Sequence, residues 1–355
     1  MLNNKKGILA IFLGVQILCI SILKHFPEFV ESYYSNGLYV LISRLMRFTF
    51  GWLSFSAGDI LYTIAVVYCL RWLFLQRKRM YKDFVQWALD VLSAVSIAYF
   101  AFHVLWAFNY YRAPLYRSLQ IEADYTTEEL IYFTKKLVTK SNTIHNNLSK
   151  SDTLSVKIPY TKDDIINKAT HGYDALSKVY PQWNYEPRSI KKSIYSLPLT
   201  YMGFSGYLNP FTNEAQVDAL IPTYKFPTTT CHEIAHQLGY AAENEANFIG
   251  SLAAIHNEDI YFQYAGYTFA LRYCLNEIFK RDKESYYLIL KTINKGIIKN
   301  YQEVQEFWLS YENPLEPFFK TTFDNFLKVN NQSDGMKSYS YVVALLVNYY
   351  KEQPL

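Results

Sequence analysis

The chain has 355 residues, 50% of them hydrophobic and 18% aromatic, with a net charge of only +4. That length exceeds one small core and accommodates a membrane region plus one domain. The mild charge, without a Lys/Arg stripe interleaved with stacking aromatics, argues against a nucleic-acid binder.

Gly7–Leu23 is uncharged and follows Lys5 and Lys6, as in a signal peptide. Lys24, His25 and Phe26 come next, with no small-residue cleavage site, so an uncleaved membrane helix is expected. Ile60–Leu75 is a second apolar core, with Arg71 near its end. Val91–Phe108 is a third, and His103 within it reads as a hydrogen-bonded histidine. Trp106, Tyr110 and Tyr111 suit an interfacial aromatic belt. These cores predict spans over about 7–23, 57–75 and 88–108. The loop between spans two and three carries Arg77, Lys78, Arg79 and Lys82. Positive charge marks the cytoplasmic side, as do Lys5 and Lys6. By parity the chain after Asn109 then lies outside the cytoplasm. Gly37–Phe55 is apolar but holds Arg44 and Arg47. An arginine at the bilayer centre costs about 3 kcal/mol, so an amphipathic helix lying on the outer surface is expected there.

Residues 109–355 read as one extracytoplasmic, mainly helical domain. Thr126–Glu129 has capping-box spacing, and apolar periodicity runs on to about Leu148. Asn142–Asp152 reads as a polar break, and Thr161–Tyr180 as a helix stopped by Pro181. Ser189–Met202 suits a strand, and Glu214–Ile221 a short alternating strand that could pair with an extended substrate. Ile260–Phe279, Lys283–Ile298 and Glu303–Leu309 read as amphipathic helices, Asn330–Met336 as a loop, and Tyr339–Tyr350 as a closing helix. His145, His171 and His256 are isolated. So are the four cysteines, of which Cys231 and Cys274 could pair only in an oxidising compartment.

The chemistry gathers in Thr228–Gly250. Pro227 and Thr228–Thr230 read as a helix start, with Thr230 and Glu233 in capping-box spacing. His232, Glu233 and His236 follow as H-E-x-x-H. Residues four apart share one helix face, so the two histidines can hold one Zn2+. Glu233 can reach a water beside that ion and act as general base. Had the helix run on, Glu243 would lie about 10 Å further along the axis from His236, too far to share the ion. The chain must therefore turn at Gly239–Ala242, and a second helix starting near Glu243 can return Glu243 or Glu245 as third ligand.

Glu243–Asn247 resembles the E-x-x-A-D segment of gluzincin-type zinc metallopeptidases. That resemblance implies Glu243 as metal ligand and Asn247 in the orienting position, where Asn replaces the family's acidic residue. Asn109–Arg112, Gly206–Thr212 and His232–Phe248 together resemble the domain-of-unknown-function 3810 family of bacterial membrane proteins. The implied protein has three N-terminal transmembrane helices, then a mostly helical, zincin-like domain with a small β element, in the bacterial cytoplasmic membrane. A zinc peptidase cutting peptide or protein substrates of the cell envelope is the expected activity. The alternatives are a structural metal staple and a zinc hydrolase of other envelope substrates. Tyr339 and Tyr341 are candidate oxyanion donors, with Tyr264 and Tyr267 competing.

Overall fold

The computed structural model describes residues 2–332, 335–336 and 341–355. It is mainly helical with one three-stranded sheet. Among the described residues, three helices are long and apolar enough to cross a membrane: Lys5–Leu23, Ala57–Gln76 and Phe84–Leu105. Their outward faces carry Ile11, Leu18, Ile64, Leu70, Phe74 and Ile97, all exposed. A helix apolar all round satisfies its own backbone and leaves its side chains to lipid.

Span three occupies 84–105 rather than 88–108. Asp90 within it is neutralised by Lys6 and by Arg79, whose Nη1 lies 2.8 Å from Oδ2. At its far end Trp106 leaves helical geometry and Ala107–Tyr111 tightens into a 3-10 turn. Spans one and three also meet through Gln16, which donates to Ser96 Oγ at 2.9 Å. These contacts put Lys6 and the Arg77–Lys82 loop at the same end of the helix group. His103 is buried, its Nδ1 2.9 Å from the Tyr99 carbonyl.

Residues 37–55 do not form a span. A π-helical stretch, Val30–Leu38, runs into the helix Tyr39–Phe50. Its faces divide cleanly. Tyr39, Ser43 and Arg47 are buried against the domain, with Arg47 stacked over Tyr185 at 5.2 Å. Leu41, Leu45, Phe48 and, beyond the helix, Trp52 point outward and are exposed. Arg47 thus avoids lipid by turning into the protein.

In the sheet, β3 (Glu214–Val217) lies between β1 (Ile190–Lys192), which is parallel to it, and β2 (Gly206–Asn209), which is antiparallel. Only Ile190–Lys192 of the expected Ser189–Met202 strand is extended, and Ser196–Met202 is a helix. β3 is paired on both sides and offers no free edge to an extended substrate; the edge strands are β1 and β2. A buried ion pair joins this sheet to the membrane helices. Lys191 Nζ lies 2.5 Å from Glu214 and also donates to the carbonyls of Phe50 and Phe55. Glu214 in turn accepts the Gly58 N–H at 2.6 Å, at the start of span two. The next residue, Asp59, accepts from Ser193, the Ile194 N–H and Tyr207.

The helices Thr127–Ser149 and Lys162–Leu176 both begin with reciprocal capping boxes, at Thr126/Glu129 and Thr161/Asp164. The first runs through Asn142 and stops only at Lys150, in left-handed geometry; Thr143, Asn146 and Asn147 form its exposed face and His145 is buried, so there is no break. Lys283–Ile298 divides into Lys283–Leu290 and the start of Lys295–Ser310. The closing helix covers Val342–Glu352. Glu316–Val329, where no helix was expected, is a further amphipathic helix. All four cysteines are free, with Cys231 and Cys274 separately buried.

Candidate metal centre and cleft

The helix carrying H-E-x-x-H spans Phe226–Gln237. It starts four residues before Thr230, with Pro227 in its first turn and no side-chain cap. Thr230 donates to the Phe226 carbonyl at 2.8 Å, so the capping-box reading of Thr230 and Glu233 does not hold. Gly239 then adopts φ +90°, and the return helix begins at Glu243 and runs to Ile255. The two helices pack so closely that a Cβ on Gly250 would lie 2.7 Å from the His232 backbone nitrogen.

This turn is clamped from the membrane side. Trp106 Nε1 donates to the His236 carbonyl at 3.2 Å. Arg112 Nη1 donates to the Gly239 carbonyl at 2.9 Å while its other nitrogens grip Glu31. A Cβ at Gly239 would meet Tyr39 and Asn109, at 2.9 and 3.0 Å. Gln237 ties the helix to the sheet layer: its amide donates to the carbonyls of Ser189 and Asn213, and its oxygen accepts from Tyr185 at 2.6 Å. Asn109, Arg112 and Gln237 therefore hold the turn.

His232, His236 and Glu243 bring one ligand atom each to within 4.8 Å of one another. Glu243 Oε2 lies 3.3 Å from His232 Nε2 and 3.7 Å from His236 Nε2. His236 Nδ1 lies 2.8 Å from the Tyr240 carbonyl, which fixes a proton on Nδ1 and leaves Nε2 facing Glu243. Nδ1 of His232 makes no hydrogen bond of normal geometry, although the Asn247 amide beside it favours its charged form. Burial disfavours charge on every group here. It pushes Glu233 up to about 8. Burial also opposes the Glu243 charge, yet the two histidines hold that carboxyl below the usual range. The same Glu243 charge outweighs burial at His236 and lifts it to about 9. Burial and the neighbouring His236 push His232 down.

Glu245 points elsewhere. It accepts the Leu115 N–H at 2.6 Å, and burial pushes it up to about 7 against the opposing pull of Arg112. Of the two carboxylates, Glu243 alone belongs to the cluster. Cys231 faces the core, and its carbonyl accepts from Tyr173.

The cluster faces a cleft of about 740 Å³ lined also by Glu233 and Asn247. β2 forms one wall. A Cβ on Gly206 would lie 2.6 Å from Glu233 Oε1, so this position has no room for a side chain beside the carboxylate. Two half-buried phenols, Tyr110 and Tyr273, line the cleft close enough to Glu243 for its charge to be felt at each. Tyr339 lies outside the described residues. Tyr341 is half-exposed at the start of the last helix and is not part of the lining. Tyr264 is bonded to Asn300, and Tyr267 faces Lys140; neither lines the cleft. Nothing in the periodicity separates Tyr110 and Tyr273 from the other tyrosines, but Tyr110 falls in the N-Y-Y-R stretch. His145, His171 and His256 each have partners away from the cleft.

A family model described as "Protein of unknown function (DUF3810)" matches residues 34–347. The chain belongs to that family. The DUF3810 match begins after span one and takes in the surface helix, spans two and three, the Arg112 clamp and the whole cleft lining from Tyr62 to Met336. No curated protein and no solved structure matches the chain.

Proposed function

We propose that this protein is a membrane-bound zinc metallopeptidase whose domain over 109–355 faces outside the bacterial cytoplasmic membrane. The observation that carries the reading is the convergence of His232, His236 and Glu243 on one point, with Glu233 alongside, at the floor of an open cleft. Two histidines and one carboxylate suit zinc. A buried Glu243 oxygen that makes no hydrogen bond of normal geometry and faces Nε2 of both histidines fits an ion between them. Bound there, zinc would supply Lewis acidity for activating a water and polarising a carbonyl. Glu233 takes the proton as the water oxygen attacks the carbonyl carbon, then delivers it to the nitrogen as the C–N bond breaks. The high proton affinity that burial gives Glu233 suits it to both transfers, and a nearby cation lowers that affinity. Tyr110 or Tyr273 is placed to donate to the carbonyl oxygen as it gains charge. A free edge on β2 offers backbone pairing to an extended chain.

Three ligands with the remaining side open to a cleft favour catalysis over a closed structural staple, which takes four protein ligands. Orientation rests on the cationic Arg77–Lys82 loop, which shares an end with Lys6 through Asp90. The test is the Glu233→Gln variant of purified, detergent-solubilised protein. It should keep about one zinc per chain and lose hydrolysis of a mixed peptide library. Protein that holds no zinc, or undiminished hydrolysis by the variant, would sink this reading.

A further inference from the structure

The cleft has membrane helices in its wall. Tyr62 comes from span two, about 8 Å along the helix from its start, and Phe102 from span three, about 5 Å before its end. Each polar interfacial layer of a bilayer is about 5–8 Å deep. If the span ends lie in that layer, so does the floor of the cleft. The Trp106 bond to the His236 carbonyl ties the metal-type cluster to the same level.

The remaining walls are mostly apolar, with Lys225 and Lys320 as the charged exceptions. Leu199, Met202, Phe204, Leu208 and Phe211 line one side. Against them packs the helix Glu316–Val329, which adds Phe323 and Phe326 to the lining. Phe326 packs on Phe102 of span three at 6.2 Å, and Phe323 on Phe204 at 5.1 Å. That helix bridges from the membrane to the helix Ser196–Met202 across the cleft. Its other face leaves Phe318 and Val329 exposed, and Ile194 and Leu197 beside the neighbouring helix are exposed too. Apolar surface thus continues from lipid-facing helices, around the mouth, to the cluster. A polar, soluble peptide would leave that lining unsatisfied.

Building on the peptidase reading, we propose that the cleft takes a bilayer-anchored polypeptide and cuts it close to the anchor. The anchor stays in lipid beside spans two and three. The segment next to it enters between Tyr62 and Phe102 and lies extended against β2. A bond far from the anchor gains nothing from this layout.

The test uses the full-length, zinc-loaded protein in lipid vesicles. The probe is an apolar helix of about 20 residues followed by a randomised tail of roughly 30 residues, ~100 Å when extended. A second probe is the same tail without the helix, and cut positions are read by mass spectrometry. Cuts should cluster within roughly ten residues of the anchor, and the free tail should be cut at least about tenfold more slowly. Clustering separates the inference from mere concentration at the surface, which favours every bond in the tail alike. Phe102→Ala with Phe326→Ala should lower the anchored-to-free rate ratio at unchanged zinc content. Cuts spread evenly along the tail, equal rates on the two probes, or an unchanged ratio in that variant would overturn the inference and leave the peptidase reading standing. No cut in either probe, with Glu233→Gln indistinguishable from the wild type, would overturn both.

Discussion

Gly206→Ala is the sharpest probe of the cleft, because its effect can be worked out atom by atom. The new Cβ would lie 2.6 Å from the Gln216 carbonyl oxygen and 2.6 Å from Glu233 Oε1. Ordinary contact begins at 3.4 Å, so each neighbour must retreat by 3.4 − 2.6 = 0.8 Å. The Gln216 oxygen is backbone in the β2–β3 ladder and resists; the Glu233 carboxylate ends a flexible side chain and yields. Overpacking of this kind costs about 1–3 kcal/mol. Moving a general base by nearly 1 Å costs on the order of 100-fold in rate. Zinc content should not change, since the three ligands lie on other residues. Thermal unfolding in detergent, run as a double-mutant cycle with Glu233→Ala, reads the contact without relying on activity. With the carboxylate gone, Gly206→Ala should cost about 1 kcal/mol less. Strictly additive effects, or a Gly206→Ala protein as stable and active as its parent, would refute the reasoning.

Three further outcomes are expected. Glu243→Ala should abolish tight zinc binding, while Glu245→Ala should retain zinc and lose about 1–3 kcal/mol of stability by stranding the Leu115 N–H; metal analysis beside melting curves separates the two. Glu214→Ala leaves the buried Lys191 ammonium without its carboxylate and should cost about 3–5 kcal/mol, seen as a lowered melting temperature. Lys225 is pushed down to about 8 by burial and by the nearby Arg272 charge, from 10.5 in the open chain. Between those values the folded protein binds fewer protons than the unfolded chain, so stability rises with pH. Melting curves from pH 8 to 10.5 should show wild type gaining on Lys225→Met by at most about 3 kcal/mol, and a flat difference would count against the assignment.

What the chain reveals unfolded is whatever depends on neighbours a few residues apart. Hydropathy over one helix length marks the three spans. Single-turn chemistry marks the caps at Thr126 and Thr161, and the four-residue repeat puts His232 and His236 on one face. Even the break at Gly239 follows from helical rise alone, because a straight helix cannot return a carboxylate to the two histidines.

Contacts between distant segments are a different matter. Glu243 and Glu245 sit on the same first turn with the same chemistry, and only the approach of Leu115 and Arg112 draws Glu245 away. Arg47 looks like a membrane liability until Tyr185 covers it. Tyr110, Tyr273 and the Glu316–Val329 helix join the cleft through packing that no local pattern encodes. The H-E-x-x-H stretch by itself specified two histidines and a glutamate on one helix. The tertiary structure decided which carboxylate completes the cluster, and that the cleft around it begins where the membrane helices end.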